Sequence, residues 1–307
     1  MSKKSKEYLD KAKELLAASR EKADSGSFSH ILQAISLQSH IDDLETFESL
    51  EKIGQAYELV DFRMMADTFR SGSVPLNIVA KAADELRKML GYAALRFIHG
   101  GITRKRVPAD LYEDLDLRLA GILPGSSRLL VAAAAHRDLF DDGVAKHAIE
   151  RVFGVLESNG RGDNFLEAVT DLGPSSARSL REFLKIIRAQ SGALEVSWAF
   201  SGQNIHRWTA DQKTVADIAS ALEVTTLKEQ SNQLFIGVIE LLSKRERIHL
   251  RANTGEILRI LFPKRLLADV SELHLDQEVR LLCQVTETEN PLTNETAHYY
   301  ELLEIRR

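Results

Sequence analysis

Residues 245–262 read RERIHLRANTGEILRILF, two alternating runs around Asn253-Thr254-Gly255. A three-residue loop ending in glycine is a hairpin connection, because glycine takes the left-handed backbone the turn requires. This loop sets Ala252 opposite Glu256, and therefore Leu250 opposite Leu258 and Ile248 opposite Ile260. Those four Leu and Ile side chains then share an inner face. The outer face carries Arg247, His249 and Arg251, with Arg259 opposite His249. A slip of one residue would mix Leu250 with Arg259 on one face, so burial selects the register.

The same alternation extends outward from this hairpin. Strands are expected at NQLFIGVIELL, ERIHLRA, EILRILF, EVRLLCQVTE and HYYELLEI, with a short helix, PKRLLADVSEL, between the third and fourth. Five strands with a helix after the third is the order of an OB-type barrel, and another small Greek-key or SH3-like barrel suits the pattern as well. Cys283 alternates with Leu281 and Val285, which points it inward as a small apolar residue.

Upstream the period becomes helical. Tyr8, Ala12 and Leu15 recur at helical spacing in KEYLDKAKELLAASREKA. After DSGSFS, a long stripe follows through Leu37, Ile41, Leu44, Phe47, Leu50, Ile53, Tyr57, Val60 and Met64 at intervals of three or four. A stripe of this length exceeds what a peripheral helix needs, so it is expected to face another helix of the chain or a second subunit. Leu37, Ile41, Leu44, Ile53, Tyr57 and Val60 are the candidate oligomer stripe.

Pro75 opens the next helix, with Val79, Ala83, Leu86, Leu90, Ala93 and Phe97 on one face. In RFIHGGITRKRVP, residues 96–108, His99-Gly100-Gly101 falls where that helix should stop, with glycine in the left-handed C-cap conformation. The run Arg104-Lys105-Arg106 is then a solvated linker. LDLRLAGILPGSSRLLVAAAA reads as two extended runs around Pro124-Gly125-Ser126. Helical patterns follow, with Asn164 as cap of the second and Pro174 opening the third. GALEVSWAF is a strand, and Thr209 caps a helix through ADQKTVADIASAL. The fold class is α+β: a helical region over 1–72, an α+β domain over 73–224 and a small five-stranded barrel over 225–307.

The whole chain carries 45 Asp and Glu against 40 Lys and Arg, which excludes a surface adapted throughout to nucleic acid. Residues 226–307 hold eleven Lys or Arg and thirteen Asp or Glu, so the barrel as a whole is not basic either. With one cysteine, no internal disulfide and no cysteine-based zinc site can form. Nowhere do 18 apolar residues run together, and no signal-peptide core is present, so a cytoplasmic location with no membrane contact is expected.

No Walker loop, no G-x-G-x-x-G after a strand and no G-x-S-x-G occur. His136 with Asp138, Asp141 and Asp142 is the nearest approach to a metal cluster, and reads better as a turn and helix cap. Arg161-Gly162-Asp163 reads as a polar turn before a helix. His206 and Trp208 sit near a turn, with Trp208 expected in the core. No catalytic, cofactor or metal residue is assigned, and no cofactor is expected.

The order LRLAGILPGSSRLLVAAAA, helices, GALEVSW and a terminal barrel, over residues 75–307, resembles a recurring layout among bacterial proteins without an established activity. That resemblance implies a bacterial cytoplasmic origin and supplies no catalytic residue. Bacterial proteins pairing a helical region with a small barrel sometimes serve in defence or toxin–antitoxin loci, which makes such a setting part of the expectation. The main functional expectation is a non-catalytic regulatory or scaffolding protein that binds itself or another protein. The alternative is single-stranded nucleic-acid binding through Arg247, His249, Arg251 and Arg259, with Tyr299 or Tyr300 as a stacking surface. An enzyme of unassigned class is the third reading.

Overall fold

The computed structural model describes residues 3–23, 37, 41, 57–69, 73–100, 106–122, 128–134, 143–199, 206–243, 247–290 and 295–306. Helix α1 spans Lys3–Ala23. Its Ala12 and Leu16 are buried against Ile41, and Leu37 packs alongside. The described start of the apolar stripe is therefore used within the chain. Leu44 and Ile53 lie outside the described residues.

Tyr57 and Val60 do not continue that stripe. Residues Tyr57–Met65 form strand β1, so the helical reading of this segment is corrected. Spacings of three and four among positions 57, 60 and 64 imitate a helix, yet the alternating residues Val60, Phe62 and Met64 enter the core. Val60 lies between Val131 and Trp198, and Phe62 between Leu129 and Val196. Cross-strand packing on both sides outweighs the local period, because each neighbour adds buried contact that a lone helix would lack. Val60 is not available to an oligomer interface, being 2% exposed; Tyr57 is half-buried and its hydroxyl donates to Asp116 Oδ2 at 3.3 Å.

β1 is the middle strand of an antiparallel sheet in the order β2-β3-β1-β4-β5, with β2 Arg118–Ile122, β3 Arg128–Ala134, β4 Ala193–Ala199 and β5 His206–Ala210. Helices α2 Leu76–His99, α3 Ala109–Leu115, α4 Val144–Glu157, α5 Gly162–Leu172, α6 Pro174–Arg188 and α7 Gln212–Val224 contribute to the same core. Helix α6 starts at Pro174 as its sequence demands and buries Leu180, Phe183, Leu184 and Ile187. Phe183 meets Phe62 edge to face, with ring centroids 5.7 Å apart. Burying each such side chain stabilises the lobe by roughly 1.5–3 kcal/mol. Trp198 is buried in this core and its indole donates to Glu58 Oε2 at 2.9 Å.

Two helix starts differ from expectation. The Thr214 N–H donates to Asp211 Oδ1 at 2.7 Å, so Asp211 caps α7, while Thr209 sits inside β5 opposite Glu195. Helix α5 begins at Gly162, which places Asn164 within its first turn rather than before it. His206 and Trp208 belong to β5, and Trp208 is buried as expected.

The barrel follows α7: β6 Thr226–Ser243, β7 Arg247–Ala252, β8 Ile257–Leu261, a 3-10 turn Lys264–Leu266, helix α8 Leu267–Ser271, β9 Glu278–Asn290 and β10 Glu295–Arg306. The five strands close into a ring in the order β10-β8-β7-β6-β9. All neighbours are antiparallel except β10 and β8, which run parallel through Tyr300 and Glu301. Ile239, Ile248, Leu250, Leu258, Ile260, Leu281 and Leu302 fill the interior.

The barrel is seated on the sheet lobe, with α5 against β9 and β10. Arg96, in the last turn of α2, lies 3.2 Å from Glu301 of β10, and its Nε donates to the Asp171 carbonyl at 3.0 Å. The Tyr299 hydroxyl donates to Asp171 Oδ1 at 3.2 Å, and Arg151 Nε lies 3.4 Å from the same oxygen. Thr170 of α5 and Thr288 of β9 share a hydrogen bond of 2.5 Å. Burial works against the Arg96 charge, but Glu301, Tyr299 and Asp171 outweigh it and hold its pKa above the ordinary arginine value. Burial, helped by Asp171, pushes Tyr299 well above the usual phenol range.

This seam explains the glycine that ends α2. Gly100 has φ 76° and ψ −157°, and its N–H donates to the Arg96 carbonyl. The positive φ is as expected, but the ψ is not left-handed helical. It lies in a region that is essentially glycine's alone. A Cβ at position 100 would stand 1.9 Å from Glu301 Oε1, so the barrel's approach requires the absent side chain.

Candidate binding face on the barrel

The β7–β8 hairpin has the register its sequence dictates. Ile248 pairs with Ile260, Leu250 with Leu258 and His249 with Arg259. The Gly255 N–H donates to the Ala252 carbonyl at 2.8 Å, with Gly255 at φ 86°. Ile248, Leu250, Leu258 and Ile260 are buried, which turns Arg247, His249, Arg251 and Arg259 to the outside of the barrel.

Neighbouring strands complete three rows across this outer surface. Arg259, His249 and Leu241 form one, and Ile257, Arg251, Val238 and Glu278 the next. Ile236, Arg280 and Arg306 form the third. A bulge in β6 between Ile239 and Leu241 inserts Glu240, whose carboxylate pairs with Arg251. Arg247, Arg259 and Arg280 have no ion-pair partner among the described residues. Arg306 has Glu304 at 3.7 Å.

The four residues singled out from sequence thus share one surface, but they are not its whole content. Arg280 and Arg306 extend the basic character around the ring. The alternation of Val279, Leu281 and Cys283 inward turns Arg280 outward, and Arg306 pairs with it from β10. Four aliphatic side chains are exposed on the same surface: Leu234 at 45%, Val238 at 37%, Leu241 at 40% and Ile257 at 52%. Leu234, Val238 and Leu241 were hidden from sequence reading, because NQLFIGVIELL is apolar on both faces, whereas Ile257 turns outward with Arg259 in the hairpin register.

The aromatic expectation is corrected. Tyr299 is buried in the seam with Asp171, and Tyr300 turns inward, where its ring meets Phe235 at 5.4 Å. Among the described residues the outer face carries no Phe, Tyr or Trp. Beside the face, a groove of about 1050 Å³ runs between α8 and the ends of β9 and β10. Its floor includes Leu266 and Val279, and Arg265, Arg280, Asp269 and Glu272 mix both signs on its rim.

Cys283 is buried, and burial pushes its thiol up to about 12, so it is no nucleophile at neutral pH. Among the described residues no group of three His, Cys, Asp or Glu side chains is placed to hold a metal ion. His136, Asp138, Asp141 and Asp142 lie outside the described residues, as do Arg104 and Lys105. No helix among the described residues is long and apolar enough to cross a membrane.

Fold and surface together define a class: an α+β protein of two lobes, a helix-covered antiparallel sheet and a closed five-stranded ring with a mixed basic and aliphatic exterior. Compared with protein-family models, characterised proteins and solved structures, the chain matches none.

Proposed function

We propose that this chain is a non-catalytic scaffolding protein, and that its outer barrel face is where a partner protein docks. In this reading the barrel is of the OB type. Its third and fifth strands are parallel neighbours, and its helix lies between the third and fourth. The outer face of the second and third strands is where such barrels receive their ligands.

The observation that carries the proposal is the exposure of Leu234, Val238, Leu241 and Ile257 among arginines on one surface. Apolar side chains gathered on one exposed face mark contact sites, because removing them from water on binding is favourable. The buried seam of Arg96, Glu301, Asp171 and Tyr299 supports the same reading, since it fixes that surface relative to the sheet lobe. Single-stranded nucleic acid is the second reading, favoured by Arg247, Arg259 and Arg280 without ion-pair partners among the described residues.

Photo-cross-linking in cells tests the assignment. A benzoylphenylalanine at position 241 is expected to give adducts whose mass survives nuclease treatment, while one at exposed Leu76 gives none. Nuclease-sensitive adducts would transfer the function to nucleic acid. Equal labelling from both positions would remove the barrel face from consideration.

A further inference from the structure

Resting on that docking face, we infer the chemistry of what occupies it: an acidic, aliphatic-rich polypeptide segment. Each row on the face sets a basic residue type, Arg or His, beside an aliphatic side chain. His249 faces Leu241 and Arg259, Arg251 faces Val238 and Ile257, and Arg280 faces Ile236. Paired strands stand about 4.8 Å apart, so the basic and aliphatic side chains of a row lie within reach of one partner segment.

Two features separate this occupant from a nucleic-acid strand. Bases need flat π surfaces to stack on, and the face has no Phe, Tyr or Trp among the described residues. A nucleic-acid strand carries a charge at every phosphate, whereas Glu240 already pairs with Arg251 and Glu278 stands in the middle row, so the open cations are separated rather than continuous. Carboxylates spaced by Leu or Ile side chains can instead meet Arg247, Arg259 and Arg280 while covering Leu241 and Ile257.

The sheet itself indicates a missing negative partner. Arg280 and Arg306 are direct cross-strand neighbours. Like charges in that arrangement weaken a sheet, and among the described residues the one ion pair to either is that of Glu304 with Arg306. A carboxylate brought by the partner would remove that repulsion on binding, a gain realised only in the complex.

The test is a titration of the full chain with a soluble peptide of Glu and Leu residues. Matched peptides replace every Glu by Gln or every Leu by Ser, and an oligo-dT strand is run in parallel. The Glu-Leu peptide is expected to bind in a salt-sensitive manner, with both matched peptides weaker by about tenfold. Arg247→Ala with Arg259→Ala, and separately Leu241→Ser with Ile257→Ser, are each expected to raise its Kd by about tenfold. Arg251 is left unchanged because Glu240 already engages it.

Equal binding by the Leu-to-Ser peptide, or tighter binding by oligo-dT that both double variants abolish, would overturn the partner chemistry and leave the face standing. Peptide binding unaffected by either double variant would overturn the face itself. Failure of the Glu-Leu peptide to bind at all would overturn the chemistry, with the cross-linking at position 241 still deciding the face.

Discussion

Arg96 and Glu301 meet 3.2 Å apart across the seam between the sheet lobe and the barrel, with side chains only 12% and 8% exposed. The arginine ends one lobe's longest helix and the glutamate belongs to the other lobe's last strand. A charge pair so placed costs desolvation on both sides, and its return is a single defined docking geometry.

Removing one partner should therefore matter more than removing both. Glu301→Gln leaves the Arg96 charge buried, and is expected to cost about 3 kcal/mol in urea unfolding. Arg96→Met with Glu301→Leu is expected to cost less than the single variant. Both tryptophans, Trp198 and Trp208, report from the sheet lobe, whereas far-ultraviolet circular dichroism sees both lobes. Coincident transitions are expected from the two probes in the natural chain and separated ones in Glu301→Gln.

Two glycines with positive φ should respond differently to alanine. A Cβ at Gly255 meets nothing within 4 Å, so Gly255→Ala carries only backbone strain, about 1 kcal/mol. A Cβ at Gly100 would collide with Glu301 Oε1, so Gly100→Ala adds displacement of the seam and is expected to cost about 3 kcal/mol. Urea midpoints of the two variants measure the difference directly.

Stability should fall on the alkaline side. The Cys283 thiol is pushed from an ordinary 9.0 up to about 12 by burial, then by Glu301. Above pH 9 the unfolded chain releases this proton while the folded chain retains it, so the folded state binds more protons and stability declines with pH. The contribution is complete below pH 9.0 and disappears towards pH 12, at a limiting slope of about 1.4 kcal/mol per pH unit. Tyr299, raised above the ordinary 10.0, acts in the same direction. Unfolding series at increasing pH should show a shallower decline in Cys283→Ala.

Truncation should separate α1 from β1. Deleting residues 1–23 removes the packing of Ala12 and Leu16 and leaves the sheet intact, so cooperative unfolding is expected to persist. Deleting residues 1–72 removes the strand between β3 and β4 and exposes both of their inner edges. That shorter chain is expected to show no cooperative thermal transition by circular dichroism.

The β7–β8 hairpin was legible in the sequence because local chemistry decides it: glycine turns the loop, and strict alternation leaves one register that buries Ile248, Leu250, Leu258 and Ile260. The outward set Arg247, His249, Arg251 and Arg259 came with that register, as did the inward place of Cys283. The stop at Gly100, the start at Pro174 and helices α4 and α5 were readable for the same reason, since each depends on residues a few positions away, whereas the short α3 over Ala109–Leu115 was not anticipated.

Only the tertiary structure decided the rest. Tyr57–Met65 has apolar residues at both helical and strand spacing, and the pairing of Val60 with Val131 and Trp198 selects the strand. Tyr299 has an alternating neighbourhood like that of an exposed stacking residue, and the distant Asp171 draws it into the seam. The aliphatic line of the candidate face on β6 was invisible, because residues 234–242 are mostly apolar on both sides, until closure of the ring turned Leu234, Val238 and Leu241 to solvent. Local propensity and turn chemistry act within a few residues, whereas burial and charge pairing depend on what long-range closure brings into contact.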